Sequence, residues 1–349
     1  MRATVLYGPG DVRIEEVADP QLCADTDAIV RVVAACVCGS DLWSYRGITP
    51  ITGPRRMGHE FVGVVESVGA SVASIRPGDF VIAPFYYCDM TCVHCRNGVS
   101  TSCINGGWWG TPDRSGGRVD GGQGEKVRVP LADGTLVATP SYPNDDLIPS
   151  LLSLTDVMCT GHHAAVSAGV GPGRSVVVVG DGAVGLCGVA AAQRLGASRI
   201  VAMSRHESRQ NLAREFGATD TVAERGDAGV NAIIDIFDGI GPDCALEAVG
   251  TRESMDQAIR TVRPGGKIGY VGVPSAGAEL GIQTLFGKNI SVSGGVAPVR
   301  NYLDDLLVDV WSGAITPGRV FDAELPLADV AEAYAAMDER RSIKVLLRP

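Results

Sequence analysis

Through residues 1 to 150 the apolar positions come in short β-branched runs broken by glycine and proline. TDAIVRVVAACVCGSD and EFVGVVESVGASV read as strands ending in turns, and RPGDFVIAP has the turn chemistry of a barrel corner. The opening MRATVLYGPGDVRIEEV reads as strand, turn, strand. Near residue 150 the pattern changes. LIPSLLSLTDVMCTGHHAAVSA is helical, SVVVVG (175–180) is a buried strand, and GAVGLCGVAAAQRLGA is a helix. SRIVAMS, CALEAVG and GKIGYVGVP follow as strands, alternating with helices in SRQNLAREFGA and SMDQAIRTV. Strand–helix alternation predicts a doubly wound parallel sheet. From 298 the pattern shifts again, to helices in YLDDLLVDVWSGAI and ADVAEAYAAMDER and a last strand in SIKVLLRP. The predicted fold class is therefore α/β, with a β-rich domain over 1–150, a parallel-sheet domain over 151–297, and a C-terminal segment over 298–349.

Composition sharpens this. The chain has 349 residues, of which 45 are glycine, about twice the ordinary share and in keeping with tight βα turns and close backbone approach to ligands. A net charge of −10 argues against a surface that coats nucleic acid. The N-terminus lacks a signal-peptide pattern, and no stretch reaches the ~18 uninterrupted apolar residues of a membrane span. The expectation is a cytoplasmic protein with no membrane partner, whose ten cysteines serve as metal ligands, core residues or free thiols rather than disulfides.

Three motifs carry chemistry. Gly180-Asp181-Gly182-Ala183-Val184-Gly185 matches GxGxxG, with a strand before it and a helix after it, the context of a dinucleotide turn. Gly180 permits the turn, Gly182 lets backbone approach the pyrophosphate, and Gly185 lets helix pack on strand. The next strand ends Ala202-Met203-Ser204-Arg205-His206, without the acid that binds the ribose hydroxyls of NAD. Ser204, Arg205 and Arg209 suit a 2′-phosphate, so NADP(H) is expected over NAD(H). Secondly, Cys88, Cys92, Cys95 and Cys103 lie within sixteen residues, a structural-zinc spacing; His94, between two of them, is expected to point away. Thirdly, Cys38 and His59 sit in the runs CGSD and GHE. Cys38, His59 and Glu60 are ligand types for a zinc that keeps one position open. Ser40 is two residues from the thiolate, placed to take a proton, and Asp41 can accept the second N–H of His59.

Together these residues closely resemble the zinc-dependent medium-chain alcohol dehydrogenase family. The resemblance spans the whole chain: CGSD at 38–41, GHE at 58–60, the cysteine loop, GDGAVG, ALEAVGT and the final SIKVLLRP. It implies a GroES-like β-barrel catalytic domain with a Rossmann domain inserted before its last segment. It also implies the third zinc ligand, ahead of Thr160-Gly161 at Asp156, with Cys159 a displaced rival and Glu60 an exchangeable fourth ligand. Thr160 would pack on the nicotinamide, Ala183, Val184 and Val249 would join the cofactor site, and Lys344 would meet cofactor phosphate.

The sequence departs from the family pattern in three places. Trp43 replaces the His that ends the usual proton relay, so the proton would leave through Ser40, the cofactor ribose and water. The structural-zinc pattern starts Cys88-x-x-x-Cys92, with Asp89 where the first Cys is expected, so the first ligand is Cys88 or Asp89, or the loop has lost its metal. Ser204-Arg205 replaces the NAD-type acid. The implied reaction is reversible oxidation of a small-molecule alcohol to an aldehyde or ketone, zinc lowering the pKa of the alcohol, Ser40 taking its proton and NADP its hydride. Trp43 and Trp109 would wall the substrate pocket, although Trp108 and Trp109 could equally anchor a loop. A homo-oligomer, dimer or tetramer, is expected. The alternatives are a zinc-independent quinone or enone reductase of the same superfamily, which lacks both metal sites, and a non-catalytic cofactor-binding protein.

Overall fold

The computed structural model describes residues 1–113, 117, 119–274 and 280–349. The chain forms two compact units, one of Met1–Asp156 with Pro298–Pro349 and the other of Val157–Ala297. The first boundary thus falls after Asp156, not at 150. The reason is local. The predicted long helix is two, α4 (Ile148–Ser153) and α5 (Val157–Ser167), separated where the hydroxyls of Ser153 and Thr155 donate back to the carbonyls of Ser150 and Leu152.

In the first unit, β1 (Arg2–Gly8) pairs with β2 (Asp11–Glu16) and β4 (Arg55–Arg56). A seven-stranded sheet has the order β10 (Val137–Ala138), β6 (Phe80–Ala83), β5 (Phe61–Val68), β3 (Ala28–Cys36), β18 (Val345–Arg348), β17 (Ala323–Pro326), with β9 (Lys126–Val129) also on β3. Register shifts at Ile29/Val30 and Val32/Ala34 bend the β3–β5 pair. Alternate residues of these strands, among them Val30, Val32, Phe61 and Val65, fill one core with Trp109 and Val127. A second core packs Leu6, Val37 and Leu42 against Tyr334 of α12 (Val330–Asp338) and Leu347. Short elements complete the unit: α1 (Asp41–Tyr45), β7 (Tyr86–Tyr87) paired with β8 (Gly107–Trp108), α2 (Val93–Arg96), α3 (Ala132–Thr135) and α11 (Val299–Trp311).

The second unit is a parallel six-stranded sheet ordered β13 (Asp220–Val222), β12 (Arg199–Met203), β11 (Ser175–Val179), β14 (Cys244–Glu247), β15 (Lys267–Tyr270), β16 (Ser291–Gly294). Its helices are α5, α6 (Ala183–Arg194), α7 (Glu207–Glu215), α8 (Gly226–Ile236), α9 (Arg252–Thr261) and α10 (Ile282–Lys288). The central strands are apolar on both faces, as a sheet covered by helices requires. Order reverses at β11, where the glycine turn leads into α6, the usual place for a ligand in such sheets. Within the described residues no helix is long and apolar enough to cross a membrane.

Candidate functional site

The first unit gathers one nitrogen, one sulfur and two carboxylates. Cys38 follows the end of β3. Gly58 turns the chain at φ +96° into His59 and Glu60, just ahead of β5. Asp156 comes from the break between α4 and α5. One ligand atom from each of Cys38, His59, Glu60 and Asp156 lies within 4.8 Å of the others. His59 Nε2 is 3.7 Å from Asp156 Oδ2, and Cys38 Sγ is 3.9 Å from the same oxygen. Ligands held about 2.0–2.3 Å from one tetrahedral ion stand roughly 3.5 Å apart, so the set fits zinc. His59 Nδ1 lies 3.4 Å from Asp41 Oδ1, which leaves Nε2 for the metal. Ser40 Oγ is 3.5 Å from His59 Nε2.

Burial and neighbouring Glu60 push the Cys38 thiol up. Burial opposes charge on His59, but Asp41, Cys38 and Asp156 outweigh it and hold its pKa well above the ordinary value. Glu60 is raised by burial despite Lys344. A divalent ion would act the other way, since it binds the thiolate, the neutral imidazole and the carboxylate.

Glu60 stands apart from its three companions. Lys344 Nζ donates to Glu60 Oε1 at 2.7 Å, with side chains only 2% and 0% exposed, and to the Val37 carbonyl. The Cys36 thiol donates to Glu60 Oε2 at 3.1 Å. β18 lies beside β3, and this pairing seals the Lys344 ammonium against Glu60. One expectation changes. Trp109 is no pocket wall; it is core, edge-on to Phe61, with its indole N–H on the Pro84 carbonyl. Its exposed neighbour Trp108 stacks on Phe85, whose ring meets His59 edge-on at 6.4 Å. Trp43 is half-buried in α1. Cys159 is buried within α5 and outside the cluster.

The cysteine loop gathers Asp89, Cys92, Cys95 and Cys103. Cys92 and Cys95 sulfurs are 3.5 Å apart, and Asp89 Oδ1 lies 3.3 Å from Cys103 and 3.6 Å from Cys95. Cys88 is excluded; its thiol turns to the Gly134 carbonyl and burial pushes it up to about 12. Met90, at φ +55°, makes the turn that brings Asp89 in instead. Backbone N–H groups hold the Cys92 thiol down at about 7, the thiolate form a metal needs. Three sulfurs and a carboxylate fit a closed zinc site. His94 is exposed.

In the second unit Gly180 takes φ +123°, and a Cβ on Gly185 would come within 2.0 Å of the Gly180 carbonyl. Space beside Gly182, which caps α6, is open, as a pyrophosphate on the helix N-terminus requires. Ala183 and Val184 form the first turn of α6. Val249 flanks Gly180 and is positioned by its N–H on buried Glu247. Thr160 is buried in α5. At the tip of β12, Ser204 donates to Asp181 Oδ2 at 2.7 Å, and Arg209 reaches Asp181 Oδ1 at 3.4 Å. Sequence reading missed this contact, in which a carboxylate of the glycine turn ties down the strand tip. Arg225, whose guanidinium donates to the Met203 carbonyl, adds a cation nearby, and Arg205 is exposed.

Residues 24–141 match the model of the alcohol dehydrogenase GroES-like domain, and residues 183–309 that of the zinc-binding dehydrogenase. The zinc-type alcohol dehydrogenase B of Aspergillus flavus is 30% identical over the whole of this chain and 81% of its own. The chain belongs to the zinc-dependent medium-chain alcohol dehydrogenase family. It is an oxidoreductase acting on alcohols. The solved alcohol dehydrogenase TADH from Thermus sp. ATN1 matches with a TM-score of 0.91 at 35% identity, covering 100% of this chain and 99% of that one. A zinc-binding dehydrogenase from Sinorhizobium meliloti, bound to NADP, matches at 0.85 and 26% identity, covering 100% and 99%. The family architecture names the two units: the first is the GroES-like domain, the second the Rossmann domain.

Proposed function

We propose that this dehydrogenase is NADP(H)-preferring and interconverts an alcohol with its aldehyde or ketone, using Cys38, His59 and Asp156 to hold zinc. The observation that carries this reading is the convergence of those three ligand atoms while Glu60 is drawn back onto Lys344. Zinc there supplies Lewis acidity that lowers the pKa of a hydroxyl, and the nicotinamide supplies the hydride acceptor. Asp41 holds His59 by Nδ1. Ser40 takes the hydroxyl proton. Trp43 stands where a histidine would extend the relay, so Ser40 is the side chain of this chain that would hand the proton on toward solvent. Phe85 and Trp108 give the site an apolar side that favours a hydrophobic alcohol. The second cluster, Asp89 with Cys92, Cys95 and Cys103, is read as a structural zinc site.

Cofactor preference rests on charge. Arg209 pairs with Asp181, Arg225 lies within electrostatic reach of both Asp181 and Arg205, and Arg205 forms no ion pair among the described residues. A 2′-phosphate brings about −1.5 to −2 charges to that excess of cations. The test is kcat/KM for NADP and NAD on one sample whose zinc content is measured. Two zinc ions per chain and a higher kcat/KM with NADP are expected. Arg205→Ala should lower the NADP value about tenfold, the loss of one phosphate ion pair, and leave the NAD value within about twofold. A wild-type preference for NAD would end the NADP assignment. Full turnover in zinc-free protein would end the metal assignment.

A further inference from the structure

A buried chain of hydrogen bonds runs from α12 to Asp41, the carboxylate that holds His59, and its first two members have no part in the chemistry above. Gln123 and Tyr334 are both 0% exposed. The Gln123 amide sits between Tyr334 and Asp41: Tyr334 Oη is 3.0 Å from Oε1, while Nε2 is 2.9 Å from the Cys36 carbonyl and 3.2 Å from Asp41 Oδ2. Its backbone is tied down as well, its N–H on the Met57 carbonyl and its carbonyl accepting from Thr4. A Cβ on Gly58 would collide with Gln123 Cγ at 2.4 Å, so the glycine that turns the chain into His59 also makes room for the amide.

The donor inventory gives this chain one direction. A carbonyl and a carboxylate can only accept, so the amide must present Nε2 to both. Oε1 can then only accept, so Tyr334 must donate. Burial with Asp41 close by pushes Tyr334 well above its ordinary pKa and keeps its hydroxyl protonated. Asp41 Oδ2 is thus filled by Gln123 and by the Cys38 N–H at 3.0 Å, and Oδ1 is left for His59 Nδ1. We infer that Gln123 and Tyr334 are positioning residues for the metal centre. Through Asp41 they fix the tautomer and ring orientation that present His59 Nε2 to the ion. The inference rests on the zinc reading of the Cys38–His59–Asp156 cluster and extends it by one layer.

The test uses Gln123→Met, which keeps the length of the side chain and removes its hydrogen bonds, and Tyr334→Phe, which deletes one oxygen. Each is compared with wild type for metal affinity at both clusters by chelator competition, and for the visible absorption of the cobalt-substituted protein. Gln123→Met is expected to weaken the Cys38–His59–Asp156 site by about 10- to 100-fold, as losses behind a ligating histidine do, with the Asp89–Cys103 site unchanged and the cobalt bands shifted. Tyr334→Phe should move the same two readouts in the same direction by a smaller factor. Should Gln123→Met not fold, Tyr334→Phe alone decides. Folded variants with lower Tm but unchanged affinity and cobalt spectrum would show a packing role only and overturn the inference. A wild type that binds no metal at Cys38, His59 and Asp156 would overturn the zinc reading beneath it.

Discussion

Lys344 lies 284 residues from Glu60 in sequence and 2.7 Å from it in space. That distance explains what a sequence can disclose about single residues. Cys38, Ser40, Asp41, His59 and Glu60 fall within two short runs, so local spelling identifies them. Asp156 is legible only through family resemblance, because nothing in LTDVMC marks an aspartate as a ligand. The partner of Lys344 was not legible, since a basic residue before a final strand carries no sign of which strand it will join. The pair also yields a sharp prediction. Breaking a buried ion pair by removing one partner costs about 3–5 kcal/mol, because the remaining charge is stranded. Lys344→Met should therefore lower Tm markedly. The double variant Lys344→Met with Glu60→Gln, which strands no charge, should recover most of the loss. Equal melting of single and double variants would mean that the lysine acts through packing alone.

At the scale of elements, patterning found the central strands and missed the edges. Val-rich β11 and β12 announce themselves, whereas β13 and β16 are short and partly exposed and show no hydrophobic period. Helix α8 packs Val230 and Ile233 inward, yet two glycines in its first turn blur its start in the sequence. Polar contacts that no pattern discloses fasten even the central strands. Asp243, at the start of β14, accepts from the N–H and hydroxyl of Ser175 on β11 and from Arg263. Burial alone would raise its pKa, but these donors win and hold the carboxyl down at about 2. A folded pKa below the unfolded value of about 3.9 contributes stability that is fully present above that value and lost as pH falls toward 2. The shift amounts to about 2 kcal/mol at pH 7, roughly half of it gone by pH 3. Urea midpoints of wild type and Asp243→Asn should differ at pH 7 and converge toward pH 3; a gap independent of pH would assign the effect to shape. The loop after β7 is fastened differently. With Cys88 turned away, removing a proposed ligand should matter where removing Cys88 does not. Cys95→Ser should cost one zinc per chain in metal analysis and expose the 89–105 loop to protease, while Cys88→Ser keeps both ions.

For the whole molecule, the order of motifs along the chain disclosed a GroES-like unit interrupted by a Rossmann unit, because each motif requires its own structural context and the contexts agree. Self-association is a different matter, since it depends on which surfaces remain once the chain is folded. Among the described residues the Rossmann sheet ends at β16, which pairs with β15 and with no second strand, so its outer side carries backbone groups without a strand partner there. Beside it, α10 holds Phe286 at 85% and Ile282 at 64% exposure. An open edge flanked by apolar side chains is a liability that proteins remove by covering it. The occupant proposed is a second copy of this chain, because a strand edge related to itself by a two-fold axis supplies matched donors and acceptors in antiparallel pairing. Phe286→Glu, which places a charge on that face in each protomer, should shift the sedimentation coefficient toward the monomer while zinc content stays at two per chain. If the wild type sediments as a monomer, or the variant stays assembled, the β16 edge is not the contact.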